Sequence, residues 1–305
     1  MTQDWTADID LTAADAATLI AQQFPAFAPL DLKPLGVGWD NAAFLINDTV
    51  VFRFPLRQAM AGLLLRETEI LPRLAPHLPL PIPNPHYIGA PTPAYPFAFA
   101  GYPRLPGRTA DQQPPGPTER ADLAPALAKF LAALHRIPVA AETRRWAPGD
   151  EITRADMVRR APPLRDRLTA NAAALDPESV ATLIACVDDL ATTPPAPETC
   201  WVHGDLYARH LLLDGANQLT GVIDWGDTHL GDPALDLSIA YSFLPGPARR
   251  TFIAAYGDAD PALWRRARFR AIHYGAILTE YGITVGDHAI KDVGLDALRF
   301  ALEER

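Results

Sequence analysis

Trp201-Val202-His203-Gly204-Asp205-Leu206-Tyr207-Ala208-Arg209-His210-Leu211-Leu212-Leu213-Asp214, then Gly221-Val222-Ile223-Asp224-Trp225-Gly226-Asp227, is the densest polar cluster in an apolar stretch of this chain. Asp205 stands in a short loop after an apolar pair, and His210 follows five residues later, where a β-type run begins. Asp214-Gly215-Ala216-Asn217-Gln218 is turn chemistry, and Leu219 to Ile223 returns as a second strand ending at Asp224. Such a return brings Asp205, His210 and Asp224 to one end of a two-stranded ribbon. One carboxylate there can take a proton while the other carboxylate and the imidazole hold a metal.

Working outward, a second constellation lies near the start: Gly36-Val37-Gly38-Trp39-Asp40-Asn41, with strands on both sides. Glycines at Gly36 and Gly38 let backbone N–H groups approach a phosphate, although a tight hairpin turn uses the same residues. Arg53 interrupts the strand Val50-Val51-Phe52-Arg53-Phe54, and Glu67 lies on the helix that follows. Alone, these read as a solvent-facing strand position and a solvated helix face. Taken in order, a glycine turn, a basic strand residue, a helical carboxylate, a linker and then H-G-D…H…D-W-G form a nucleotide-site sequence of the kinase type.

The remaining chain frames these motifs. With 49% hydrophobic and 21% charged residues among 305, it has a core to bury, which excludes a disordered chain. Its 27 basic and 36 acidic side chains leave −9, a balance that repels nucleic acid and weakly favours a cationic ligand. Prolines break the apolar stretch Leu71 to Leu105, so no membrane span is expected there. The N-terminus lacks signal-peptide character, and Cys186 and Cys200 form no metal or disulfide pattern, so a soluble, cytoplasmic protein is expected. Thr12 with Asp15 opens a first helix, Asn47-Asp48-Thr49 turns a hairpin, and a helix spans about Gln58 to Leu74. A strand is expected over 97–102 and an amphipathic helix over 123–134. Further helices are expected near 151–170, 178–191, 233–243, 248–257, 261–282 and 287–303. His135 at the end of the amphipathic helix is expected to bond a neighbouring backbone. The fold class is α+β, with a strand-rich part over 1–103 and a mostly helical part over 104–305.

These motifs resemble the aminoglycoside and macrolide phosphotransferase family, relatives of the protein kinases. Gly36 to Asn41, Arg66-Glu67, Leu105-Pro106-Gly107-Arg108, Trp201 to Asp214, and Gly221 to Asp236 carry the resemblance. It implies a two-lobed kinase-like fold: a small antiparallel-sheet lobe with one main helix, and a larger helical lobe. It implies transfer of the γ-phosphate of ATP or GTP to a hydroxyl of an aminoglycoside, a macrolide or a related metabolite, and hence a link to antibiotic resistance. Asp205 would be the catalytic base, and Asp224 with His210 would hold Mg²⁺, Mn²⁺ being the alternative that an imidazole ligand favours. Gly36, Gly38, Arg53, Glu67, Gly101, Tyr102, Arg104 and Leu105 would bind nucleotide, the last four as a hinge reading the purine. His203 and Asp236 would brace the catalytic loop, and Tyr207 and Asp227 are candidates to face the acceptor. Asp156, Asp258, Glu280 and Asp287 are weaker candidates for an amine. Two competing readings are a metallohydrolase with His203, Asp205, His210 and Asp224 as ligands, and an inactive nucleotide-binding pseudokinase.

Overall fold

Thr12 accepts a hydrogen bond from the Asp15 N–H while the Asp15 carboxylate reaches back, a reciprocal cap that starts α1 (Ala13–Gln23). The computed structural model describes residues 7–37, 41–196, 200–257 and 259–303. After α1 come β1 (Leu32–Val37), β2 (Asn41–Ile46), β3 (Val50–Pro55), α2 (Gln58–Leu74), β4 (Tyr87–Gly89) and β5 (Phe99–Pro103). The strands form one antiparallel sheet in the order β1-β2-β3-β5-β4. Asn47 and Asp48 both have positive φ (49° and 56°), the left-handed backbone of the tight turn Asn47-Asp48-Thr49 that joins β2 to β3, where Ile46 pairs with Val50.

Alternation along β3 sorts its side chains. Phe52 and Phe54 enter an aromatic core with Phe44, Phe99 and the α1 residues Leu19 and Ile20. Val51 and Arg53 fall on the other face, opposite Tyr102 and Ala100 of β5, and Leu64 of α2 packs there. The expected strand over 97–102 begins two residues late, at Phe99.

The second unit comprises 106–305 with the short piece 77–80, and the first comprises 1–76 with 81–105. In chain order the second contains β6 (Arg108–Thr109), α3 (Pro117–His135), α4 (Met157–Ala170), α5 (Pro177–Leu190) and β7 (Cys200–Val202). Then follow β8 (Leu211–Leu213), β9 (Leu219–Val222), β10 (His229–Gly231), α6 (Ala234–Leu237), α7 (Ile239–Ser242), α8 (Gly246–Tyr256), α9 (Pro261–Val285) and α10 (His288–Leu302). β6, β8 and β9 make one small sheet, and β7 with β10 another. Buried apolar faces of α4, α5, α9 and α10 share a core that includes Leu164, Leu183, Phe269, Ile272 and Leu298.

Two helical expectations change. The helix expected near 151–170 starts at Met157, because Asp156 caps it through the Arg159 N–H and Thr153 takes a left-handed φ of 54°. The stretch 233–243 is two short helices broken at Ser238, whose hydroxyl donates to the Leu235 carbonyl. No helix among the described residues is long and apolar enough to cross a membrane.

Candidate active site

Antiparallel pairing of β7 with β10 sets Val202 opposite His229, which brings the His203–Asp205 loop beside Asp227. Gly204 turns that loop at φ +83°, and a Cβ there would lie 2.5 Å from the Asp227 carbonyl oxygen. Glycine is therefore required both by conformation and by space. Asp236 of α6 is fully buried and accepts from the N–H groups of His203 (2.8 Å) and Gly204 (2.9 Å). His135 donates to the same carboxylate through Nε2 at 3.1 Å, and its Nδ1 meets the Tyr256 hydroxyl at 3.0 Å. His135 thus bonds side chains rather than a neighbouring backbone, since a buried carboxylate needs a donor of its own. Burial alone raises the Asp236 carboxyl, yet the His135 bond, the two neighbouring imidazoles and the Gly204 N–H outweigh it and hold the group below the usual range.

His203 is fully buried, its ring 4.7 Å from the Trp225 indole. Its Nε2 donates to the Ile223 carbonyl (2.9 Å) and its Nδ1 accepts the Asp205 N–H (3.3 Å). Burial, and then the neighbouring His210 imidazole, push its pKa down, so the ring is neutral with both nitrogens committed. That arrangement removes His203 from any ligand set. Among the described residues, no group of three or more His, Cys, Asp or Glu side chains could hold a metal ion, so the hydrolase cluster does not form.

The β8–β9 ribbon does join the other three residues. His210 donates through Nδ1 to the Asp205 carbonyl at 2.8 Å, and its own carbonyl accepts the Ile223 N–H at 2.9 Å. In the neutral ring Nε2 is then the nitrogen that carries the lone pair, and it lies 3.5 Å from Oδ2 of Asp224. Asp224 holds a left-handed φ of 64°, which turns its carboxylate off the end of β9 and leaves it half-exposed.

Asp205 keeps 24% of its side chain open. The Tyr274 hydroxyl donates to its Oδ1, and Arg270 Nη2 lies 4.0 Å from the same oxygen. Burial, followed by the Asp227 carboxylate, pushes the Asp205 carboxyl up to about 7, against the opposing pull of Tyr274 and Arg270. Asp227 is itself paired with Arg154.

In the first unit, Arg53 Nη1 bonds both carboxylate oxygens of Glu67, at 3.2 and 3.0 Å, with Glu67 only 1% exposed. This is a buried strand-to-helix ion pair, not two solvated faces.

The family model for the phosphotransferase enzyme family (APH) matches residues 31–270. The chain belongs to this family. Among solved structures, the GDP and kanamycin complex of APH(2″)-IIIa is 25% identical, covers 94% of this chain and 97% of its own, and has a TM-score of 0.70. The apoenzyme of macrolide 2′-phosphotransferase MphH from Brachybacterium faecium is 22% identical, covers 96% and 99%, and scores 0.61. Uncharacterized protein YcbJ of Bacillus subtilis is 24% identical over 102 residues, 33% of this chain and 32% of that protein. The fold of the phosphotransferase is accordingly kinase-like, with an antiparallel-sheet unit followed by a mainly helical one.

A divalent cation fits this phosphotransferase at His210 and Asp224: a carboxylate and an imidazole lone pair converge, and two protein ligands suit a metal that keeps waters and phosphate oxygens. Elsewhere the placements differ from expectation. Gly101 lies inside β5 between β3 and β4, its carbonyl accepts the His86 N–H, and a Cβ would stand 2.7 Å from the Phe52 ring. That position calls for a packing residue rather than a base reader. Tyr102 is buried beneath Leu64, and the N–H of exposed Arg104 donates to the Thr49 carbonyl, extending the sheet toward half-buried Leu105. Gly36 sits at a register shift in β1; Gly38 lies outside the described residues.

Tyr207 is buried, 4.3 Å from the His210 ring and 5.5 Å from Tyr274, with Leu278 and Ile290 against it. Packing against the His210 and Tyr274 rings fixes the Tyr207 ring in place. The acids offered to an amine have other work: Asp156 caps α4, Glu280 pairs with Arg167, and Asp287 caps α10 while pairing with Arg209; Asp258 lies outside the described residues. Sequence reading missed Arg154, Arg270 and Tyr274. Arg270 and Tyr274 stand four residues apart on α9, and two long polar side chains on a buried helix face were the available signal.

Proposed function

We propose that this phosphotransferase is a small-molecule kinase that moves the γ-phosphate of ATP or GTP to an acceptor hydroxyl, with Mg²⁺ held by Asp224 and His210 and with Mn²⁺ also accommodated. The observation that carries the reading is the partly open carboxylate of Asp205, joined through its own carbonyl and His210 to the Asp224 carboxylate. The metal, when bound, supplies neutralisation of phosphate charge. Asp205 aims the acceptor oxygen at the γ-phosphorus and accepts its proton. One P–O bond forms to the acceptor, the bond to the bridging oxygen breaks, and the nucleoside diphosphate leaves. Positioning of this kind accounts for most of the acceleration such a reaction needs.

Arg53, held by Glu67, would grip phosphate oxygens, and an arginine does so bidentately. The segment Tyr102 to Leu105 would read the purine. His203, held by its two ring bonds, and Asp236 would brace the loop that presents Asp205. A cytoplasmic location suits a nucleoside triphosphate donor, and the antibiotic-modifying relatives make aminoglycosides and macrolides the first acceptors to try. A screen coupling nucleotide consumption to aminoglycosides, macrolides and small amino alcohols, run with each nucleotide, tests the reading. Acceptor-dependent diphosphate formation is expected; nucleotide bound but never turned over with any acceptor or water would favour the pseudokinase.

A further inference from the structure

The grip on Asp205 comes from one turn of α9. Tyr274 donates its hydroxyl to Oδ1 at 2.5 Å, and Nη2 of Arg270, four residues earlier, lies 4.0 Å from the same oxygen. That spacing puts both side chains on one helical face. The Arg270 guanidinium lies 4.5 Å from the Tyr274 ring centre, and the Tyr207 ring meets Tyr274 edge-on at 5.5 Å. The phenol is therefore clamped between a cation and a second ring, and swinging it away undoes both contacts. Burial and the Asp205 charge push the Tyr274 hydroxyl well above its ordinary range, so it stays a donor. Among the described residues no hydrogen bond reaches Oδ2 of Asp205.

We infer that Tyr274 and Arg270 are positioning residues that fasten Oδ1 of Asp205 and leave Oδ2 to receive the acceptor hydroxyl. This rests on Asp205 being the base proposed above. In the transfer step the acceptor proton passes to Oδ2, while Tyr274 keeps its own. A carboxylate free to rotate about χ2 presents the wrong oxygen for part of the time, and fixing one oxygen removes that loss.

The test uses phosphate release from MgATP and from MgGTP with water as acceptor, so no acceptor need be known. Tyr274→Phe, which deletes a single oxygen, is expected to lower kcat roughly 10- to 100-fold, the scale of one hydrogen bond to a charged group, with the nucleotide KM unchanged. Arg270→Gln should lose rate in the same direction, and Arg270→Lys should recover part of it. In an Asp205→Asn background, Tyr274→Phe should add no further loss, because its action runs through that carboxylate. A wild-type rate in Tyr274→Phe overturns the inference. So does a loss that persists undiminished in the Asp205→Asn background, since that is a structural effect bypassing the base. Full activity of Asp205→Asn alone would instead sink the reading of Asp205 itself.

Discussion

Asp205 is pulled in opposite directions: burial and the Asp227 carboxylate favour its neutral form, while Tyr274 and Arg270 favour the charge a base needs. Replacement by asparagine removes the base and retains the shape. Asp205→Asn is expected to lower kcat by about 10²–10⁴-fold with nucleotide affinity nearly intact, measured by steady-state kinetics beside a calorimetric titration. The same substitution changes stability with a definite sign. In the unfolded chain this carboxyl titrates near the ordinary aspartate value of 3.8, whereas in the folded protein it is pushed up to about 7. Folding therefore costs nothing at this group when it is protonated in both states, below about pH 4, and the cost grows until pH passes 7. In metal-free protein, Asp205→Asn should gain stability over the parent on going from pH 4 to pH 8, by on the order of 4 kcal/mol in denaturant unfolding. A gain that shrinks over that range contradicts the environment described for Asp205.

At the scale of elements, α9 supplies both the Arg270–Tyr274 face and the bed on which α10 rests. The two helices approach closely: a Cβ on Gly294 would lie 2.5 Å from the backbone nitrogen of Thr279, and one on Gly282 would lie 2.4 Å from that of Lys291. Backbone atoms cannot turn aside as a flexible side chain can, so an added methyl must push the helices apart. Gly294→Ala is expected to destabilise the protein by about 1–3 kcal/mol, read as a lower urea midpoint. Because Tyr274 adjoins Gly275, where a Cβ would meet Ala297 of α10 at 3.0 Å, the same variant should also reduce turnover. A midpoint equal to the parent's would show that α10 yields at no cost. The long helices were legible from their 3.6-residue apolar period, whereas β4, β6, β7 and β10 were not. Each has two or three residues, too few to display an alternation, and exists because a partner strand or loop completes it.

For the whole molecule, ligand binding offers the broadest check. Nucleotide with Mg²⁺ should raise Tm, since a ligand at a hundred times its Kd adds about 2.7 kcal/mol to the folded state. Asp224→Ala should abolish the part of that rise that depends on the metal, measured by thermal melts with and without chelator; an unchanged metal-dependent rise would remove Asp224 from the site. Charge also reads differently at this scale. The −9 total does not leave uncommitted acids at Asp156, Glu280 and Asp287, because α4 and α10 use two of them as caps and arginines pair with Glu280 and Asp287.

What the sequence by itself determined is local and ordered along the chain. The capping box at Thr12, the turn at Asn47-Asp48, the amphipathic helices, and the succession H-G-D, His210, D-W-G each depend on neighbours within a few residues or on one hairpin. Tertiary structure decided who meets whom across long separations. Tyr274 reaches Asp205 across 69 residues and His135 reaches Asp236 across 101. The physical reason is that a hydrogen bond has no period and leaves no trace in spacing. It forms where packing brings a donor to a buried acceptor that would otherwise be unpaired, and only the folded chain sets that meeting.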